Sequence, residues 1–153
     1  MIGEGGGGNA PNLSLYIQRF LTGTPILPTK PHDEDAGWDL YASREAKIGG
    51  NPVDVHTDIA IAIPVGWYGH ILPRSSTLRH YGIQVTPAVI DSGYRGELFV
   101  QARCIDVERP ITIQAGQRIA QILFLPVPIV GWDEVDTLPE GKRGNNGFGS
   151  TGK

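Results

Sequence analysis

No window of twelve or more residues in this chain carries a clean helical period, and glycine or proline interrupts nearly every apolar run. What remains is a series of short stretches: LSLYIQRF (Leu13 to Phe20), WDLYAS, VDVHTDIAIAI, YGHILPR, GIQVTPAVID, GELFVQARCID and ITIQAGQRIAQILFLPVPIV. Alternation of apolar and polar residues matches the two-residue repeat of a strand, which sends successive side chains to opposite faces. Many short strands joined by turn residues predict an all-β domain, closed as a distorted barrel or jelly roll. Two places compete. STLRHYG permits one short helical turn, and Ile119, Ile122 and Leu123 keep a weak helical spacing in GQRIAQILFL. There the β-branched flanks and the following Pro126 and Pro128 favour strand. The three prolines of TGTPILPTKPHDEDAG make that segment irregular chain.

At 153 residues the chain is about one domain. Its 40% hydrophobic and 19% charged residues describe a soluble globular protein. A net charge of −3 excludes general attraction to nucleic acid or an anionic membrane, so any polyanion must be bound at a local site. The single cysteine, Cys104, excludes an intrachain disulfide and reads as a buried thiol within a strand. His32, His56, His70 and His80 show no metal-ligand spacing, and neither a P-loop nor a G-x-S-x-G nucleophile motif occurs. With no 18-residue apolar stretch and no secretory signal, the expected compartment is cytoplasmic. Residues 1–12 read as a flexible glycine-rich leader, 13–140 as the folded domain and 141–153 as a flexible arm.

Five stretches carry chemistry. In DAGWDLYAS, a turn at Gly37 lets Asp39 face a ligand or a metal-bound water, or else Asp39 closes an Asx turn. In LPRSSTLRHYG, Arg74, Ser75 and Ser76 gather a guanidinium and two hydroxyls into a compact oxyanion site. AVIDSGYRGEL suggests a hairpin that presents the Asp91 carboxylate at a protected position, with Tyr94 free to stack on a sugar or base; the alternative is a hairpin opened by an Asx turn, with a structural tyrosine. GQRIAQILF offers Gln117, Arg118 and Gln121, and Gln121, inside the apolar run, needs a hydrogen-bond partner, either a phosphate or a neighbouring backbone group. Finally, RGNNGFGSTG (Arg143 to Gly152) combines glycines, Arg143, Ser150 and Thr151, which suits either a phosphate-gripping flap or a disordered tail.

Taken together and in this order, AGWDLYA, PRSST, AVIDSGYRGEL, GQRIAQ and RGNNGFGSTG resemble the five motifs of the trimeric dUTP pyrophosphatases (dUTPases), spanning about three-quarters of the chain. The resemblance implies a jelly-roll homotrimer with active sites at subunit interfaces and an exchanged C-terminal arm that closes over the nucleotide. It implies Mg²⁺-dependent hydrolysis of dUTP to dUMP and pyrophosphate, an activity that supplies dUMP for dTTP synthesis and limits uracil in DNA. On this resemblance Asp91 deprotonates the attacking water and Tyr94 underlies the deoxyribose, excluding a 2′-hydroxyl. The hairpin from Val85 to Ile90 reads uracil through backbone groups. Arg74, Ser75, Ser76 and Gln121 contact phosphate, and Asp39 holds a magnesium-bound water. In the arm, Arg143 meets the γ-phosphate, Phe148 stacks on uracil, and Gly149, Ser150 and Thr151 complete the substrate contacts. No nucleic-acid or membrane partner is implied.

Ala88 stands where the family usually has glycine, and Gln84 and Thr86 are the polar residues nearest the expected uracil-facing position. The chain is also similar to the dCTP deaminases around RSS and IDSGYRG. That family carries a catalytic glutamate where this sequence has Gln101, which cannot act as a general base. A non-catalytic binding protein on the same fold is disfavoured by the intact Asp91, Arg74 and Ser75.

Overall fold

The structure is a computed structural model that describes residues 13–20 and 22–141. The leader 1–12 and the arm residues Arg143, Phe148, Gly149, Ser150 and Thr151 therefore lie outside the described residues. Within them the chain forms strands β1 (Tyr16–Arg19), β2 (Trp38–Tyr41), β3 (Ala46–Ile48), β4 (Val53–His56), β5 (Ile59–Ala62) and β6 (Trp67–Leu72). Helix α1 (Ser75–Tyr81) follows, then β7 (Ile83–Val85), β8 (Ala88–Ile90), β9 (Phe99–Cys104), β10 (Ile111–Ile113) and β11 (Arg118–Pro126).

All strand pairs are antiparallel. A four-stranded sheet runs β2-β11-β6-β8 and a three-stranded sheet β4-β9-β7, with the pairs β1-β5 and β10-β3 completing the fold. The alternation in β9, FVQARC, is realised as strict exposed–buried alternation, whereas IAIA in β5 is buried almost throughout. One core takes Leu40, Ile71, Ala120 and Ile122 from the larger sheet and Val55, Ile83, Val100 and Ala102 from the smaller. Burying each large aliphatic side chain contributes about 1.5–3 kcal/mol, which holds the strands together despite their shortness. Cys104 is buried, as the sequence predicts, and its thiol donates to the Arg109 carbonyl at 3.2 Å.

The weak helical spacing around Ile119 and Ile122 resolves as strand. β11 is the longest strand among the described residues and pairs on both sides, with β2 and with β6. The short helical turn is real and runs for seven residues, ending at Gly82, whose φ of 61° reaches the left-handed region that lets its N–H return to the Leu78 carbonyl at 2.9 Å.

Two readings change. VDVHTDIAIAI is not one strand: it breaks at Thr57–Asp58, where Asp58 takes a φ of 53°. The backbone N–H groups of Thr57 and Asp58 leave the ladder to bond the Glu97 carboxylate, a long-range partner that no local alternation reveals. Nor does the expected hairpin form, either from Val85 to Ile90 or across AVIDSGYRGEL, whose flanking strands β8 and β9 lie in different sheets. β7 pairs with β9, whereas β8 pairs with β6 in the other sheet, so Thr86–Pro87 is a corner between sheets.

Candidate active site

The first cluster forms where β2, β11 and β6 lie side by side. Asp39 is opposite Gln121, and Gln121 is opposite Leu72, so the chain leaving β6 through Pro73 and Arg74 passes over both. Arg74 Nε lies 2.6 Å from Asp39 Oδ1, and its Nη1 donates to Ser76 Oγ at 3.3 Å. Gln121 is half-buried and donates through Nε2 to the Pro73 carbonyl at 2.9 Å, so backbone supplies the partner its position required. Ser75 is exposed at the start of α1.

Arg118 joins this cluster without having been assigned a role from sequence. Its Nη1 lies 3.3 Å from Asp39 Oδ2. The register shifts between Arg118 and Ala120, which is a β-bulge. An extra residue there turns Arg118 to the face of Asp39, a place that regular alternation would give to Ile119. Two guanidinium groups against one buried carboxylate leave the cluster with net positive charge, suited to a polyanion.

The second cluster lies on the chain between β8 and β9. Asp91 is exposed and not protected as the sequence suggests, because it stands on the turn that leaves β8, where its carbonyl accepts from Tyr94 N–H at 3.1 Å. Tyr94 hydroxyl donates to the Glu97 carbonyl at 2.8 Å. A cavity of about 230 Å³ opens here, lined by Val89, Ile90, Asp91, Tyr94, Glu97 and Phe99. Val85 is 3% exposed, its side chain committed to the core, so only its backbone can meet a ligand.

One chain does not bring the two clusters together. Ile90 is level with Gly69 near the start of β6, whereas Arg74 lies two residues beyond its end. At about 3.3 Å per residue, Asp91 and Arg74 stand about 20 Å apart along the sheet.

A third group gathers ligand-type atoms: those of His56, Asp58 and Glu97 lie within 4.8 Å of one another. It is a poor cage for Mg²⁺, which takes oxygen ligands in an open octahedron. His56 offers an imidazole nitrogen 3.1 Å from Glu97, and Arg44 Nη2 already sits 2.8 Å from Asp58 Oδ1. Burial pushes the Asp58 carboxyl upward. The Thr22 and Ser43 hydroxyls and the Arg44 guanidinium outweigh it and hold the group below its ordinary value of 3.8. Among the described residues no helix is long and apolar enough to cross a membrane.

Comparison with known proteins bears on this geometry. The family model described as dUTPase matches residues 24–152. The deoxyuridine 5′-triphosphate nucleotidohydrolase of Corynebacterium diphtheriae is 45% identical over 141 residues, covering 90% of this chain and 92% of its own. That of Mycolicibacterium gilvum is 42% identical over 148 residues, covering 91% and 95%. Among solved structures, the dUTPase of Staphylococcus bacteriophage 80alpha with dUpNHpp superposes with a TM-score of 0.81 at 22% identity, covering 93% of this chain and all of the other. A mutant dUTPase from phage phi11 of S. aureus, described with a structural Mg(II) ion, gives 0.74 at 20% identity, covering 82% and 98%. These two likenesses establish the shared fold, and the closer sequence relatives with the family match establish more: the chain belongs to the dUTPase family.

Proposed function

We propose that this chain hydrolyses dUTP to dUMP and pyrophosphate at a site built jointly by neighbouring copies. One observation carries the reading beyond family membership. The Asp39–Arg74–Arg118–Gln121 cluster and the Asp91–Tyr94 cavity each hold half of such a site, on opposite ends of one sheet. A rotationally closed ring of copies sets the cationic half of one chain against the carboxylate half of the next.

In that arrangement Asp91, exposed and beside the cavity, takes a proton from water. The water oxygen bonds to the α-phosphorus as the bond to the bridging oxygen breaks, releasing pyrophosphate. Arg74, with the hydroxyls of Ser75 and Ser76, stabilises the charge that develops on phosphate oxygens. Gln121 braces the Pro73 backbone from which Arg74 projects. Tyr94 forms the floor under the sugar, and the backbone from Val85 to Ile90 reads the base. Asp39 has lone pairs left after its two arginines and suits an outer contact to a magnesium-bound water, not direct ligation. Mg²⁺, when bound with the triphosphate, would add charge neutralisation there.

The assembly reading has its own support. Beyond β11 the segment from Val127 to Leu138 is exposed along its apolar residues, with Ile129 and Trp132 almost fully bare. Monomeric soluble proteins rarely leave such a stretch uncovered. A complementary apolar cavity of about 540 Å³ lies beside the edge strand β1, lined among others by Leu15, Ile17, Trp38, Trp67 and Phe124. We take the segment of one copy to occupy this cavity on the next, which carries residues 141–153 toward a neighbouring site as a closing arm.

The test is hydrolysis with Mg²⁺, offering dUTP, dCTP, dTTP and UTP separately and resolving products. Conversion of dUTP alone to dUMP and pyrophosphate supports the reading, and ammonia release from dCTP overturns it. Asp91→Asn is expected to slow turnover about 10³-fold while nucleotide affinity holds, because a general base acts on the reacting proton and not on binding.

A further inference from the structure

We infer that Glu97 is a positioning residue for Tyr94, and through it for the discrimination of deoxyribose from ribose; this rests on the reading that Tyr94 underlies the sugar. The side chain and the backbone of Glu97 do different jobs. Its Oε1 accepts from Asp58 N–H at 2.8 Å and Thr57 N–H at 3.2 Å, and lies 3.1 Å from His56 Nδ1, while Oε2 is 3.2 Å from the same ring nitrogen. The next residue is pinned to the same place: Thr57 hydroxyl donates to the Leu98 carbonyl, and Leu98 N–H to the Ile59 carbonyl at 2.8 Å. Residues 97 and 98 are thereby fastened to the break between β4 and β5, in the interior of the fold.

From that fixed point the Glu97 carbonyl receives the Tyr94 hydroxyl at 2.8 Å. The ring lies across Gly96, where a Cβ would collide with the Tyr94 hydroxyl and its ring carbon. Tyr94 is thus clamped at its far end by Glu97 and from below by a bare backbone. The remaining bonds of the turn are local: Arg95 Nη1 donates to the Ser92 and Tyr94 carbonyls at 2.7 and 2.8 Å, and Tyr94 N–H to the Asp91 carbonyl. Those bonds shape the turn without tying it to the fold. The tie is Glu97 together with its neighbour Leu98, and Glu97, Tyr94 and Asp91 all line the same cavity.

A floor excludes a single extra hydroxyl only when its height is held to a fraction of an ångström, so loosening this clamp acts on sugar choice before it acts on chemistry. The experiment measures kcat/KM for dUTP and for UTP in the wild type, Glu97→Ala, Glu97→Gln and Tyr94→Phe, each checked for assembly by light scattering. Glu97→Ala and Tyr94→Phe are expected to lower the dUTP-to-UTP ratio about tenfold, with Asp91-dependent kcat for dUTP changing less. Glu97→Gln is expected to stay within about threefold of the wild type, because its amide oxygen still accepts the Thr57 and Asp58 N–H groups. An assembled Glu97→Ala that loses activity equally on both nucleotides overturns the inference, as does an unchanged ratio in Tyr94→Phe, which severs the hydroxyl link alone. A wild type that does not distinguish dUTP from UTP refutes instead the underlying reading of Tyr94.

Discussion

Asp91 and Arg74 belong to opposite ends of one antiparallel ladder: Asp91 follows Ile90, which pairs with Gly69, while Arg74 lies beyond Leu72 at the other end of β6. If both act on one substrate, they come from different chains. Asp91→Asn and Arg74→Ala are each expected to be nearly inactive alone. Unfolded together in equal amounts and refolded, they form mixed rings in which some sites pair an intact Asp91 with an intact Arg74. Random head-to-tail mixing gives about one-quarter of wild-type activity. Activity that stays at the level of the two separate variants would place both residues in one chain's site.

Asp39 balances two arginines from within the fold. With Asp39→Asn, Arg74 and Arg118 face each other without their shared carboxylate, and each loses a charge-assisted bond. Both guanidinium groups reach solvent, so the loss is partly made up by water. A destabilisation of about 1.5–3 kcal/mol is expected in urea unfolding, the scale of a hydrogen bond to a charged group. Turnover should fall further than stability alone explains, because Arg74 is no longer aimed. Arg118→Ala, which leaves the Asp39–Arg74 contact in place, should cost less on both counts.

Much of this arrangement is legible in the sequence, and its gaps have physical causes. Strand alternation, the proline interruptions and the short helix follow from local rules, since each depends on residues a few positions apart. The motif residues Asp39, Arg74, Ser76 and Gln121 are legible as motifs, but what draws them together is the pairing of β2, β11 and β6, strands far apart in sequence whose partners local alternation does not choose. GQRIAQILF offers Arg118 but gives it no partner, because a bulge reverses the face on which it falls. Glu97 was not singled out because its carboxylate serves N–H groups some forty residues away. The supposed hairpin at Val85 to Ile90 fails because Thr86–Pro87 hands the chain from one sheet to the other, and alternation says nothing about which neighbour a strand selects.

Acid should weaken the fold through Asp58. Its carboxyl is held below the ordinary value of 3.8 in the folded state, so the charged form is the one that folding favours. A depressed carboxylate contributes stability that is complete above its unfolded value and is lost as pH falls through the folded one. Asp58→Asn, which tolerates the positive φ, is expected to be less stable than the wild type at pH 7. The gap should narrow as pH drops below about 4. Urea midpoints measured between pH 7 and pH 3 decide the matter: a gap that stays constant would mean that the charge of Asp58 contributes nothing.

Truncation separates the two jobs given to the C-terminal region. A chain ending at residue 141 keeps the apolar run through Ile129, Trp132 and Leu138, so it should assemble as the full-length protein does. Without Arg143, Phe148, Ser150 and Thr151 the site stays open to water, and kcat/KM should fall by about 10² or more. A chain ending at Pro126 loses the apolar run as well. Its cavity beside β1 is then uncovered, and light scattering should report monomers or nonspecific aggregates. Full activity in the first truncation would make the arm a bystander. Normal assembly in the second would show that the copies are held together by another face, and the exposed segment from Val127 to Leu138 would need a different partner.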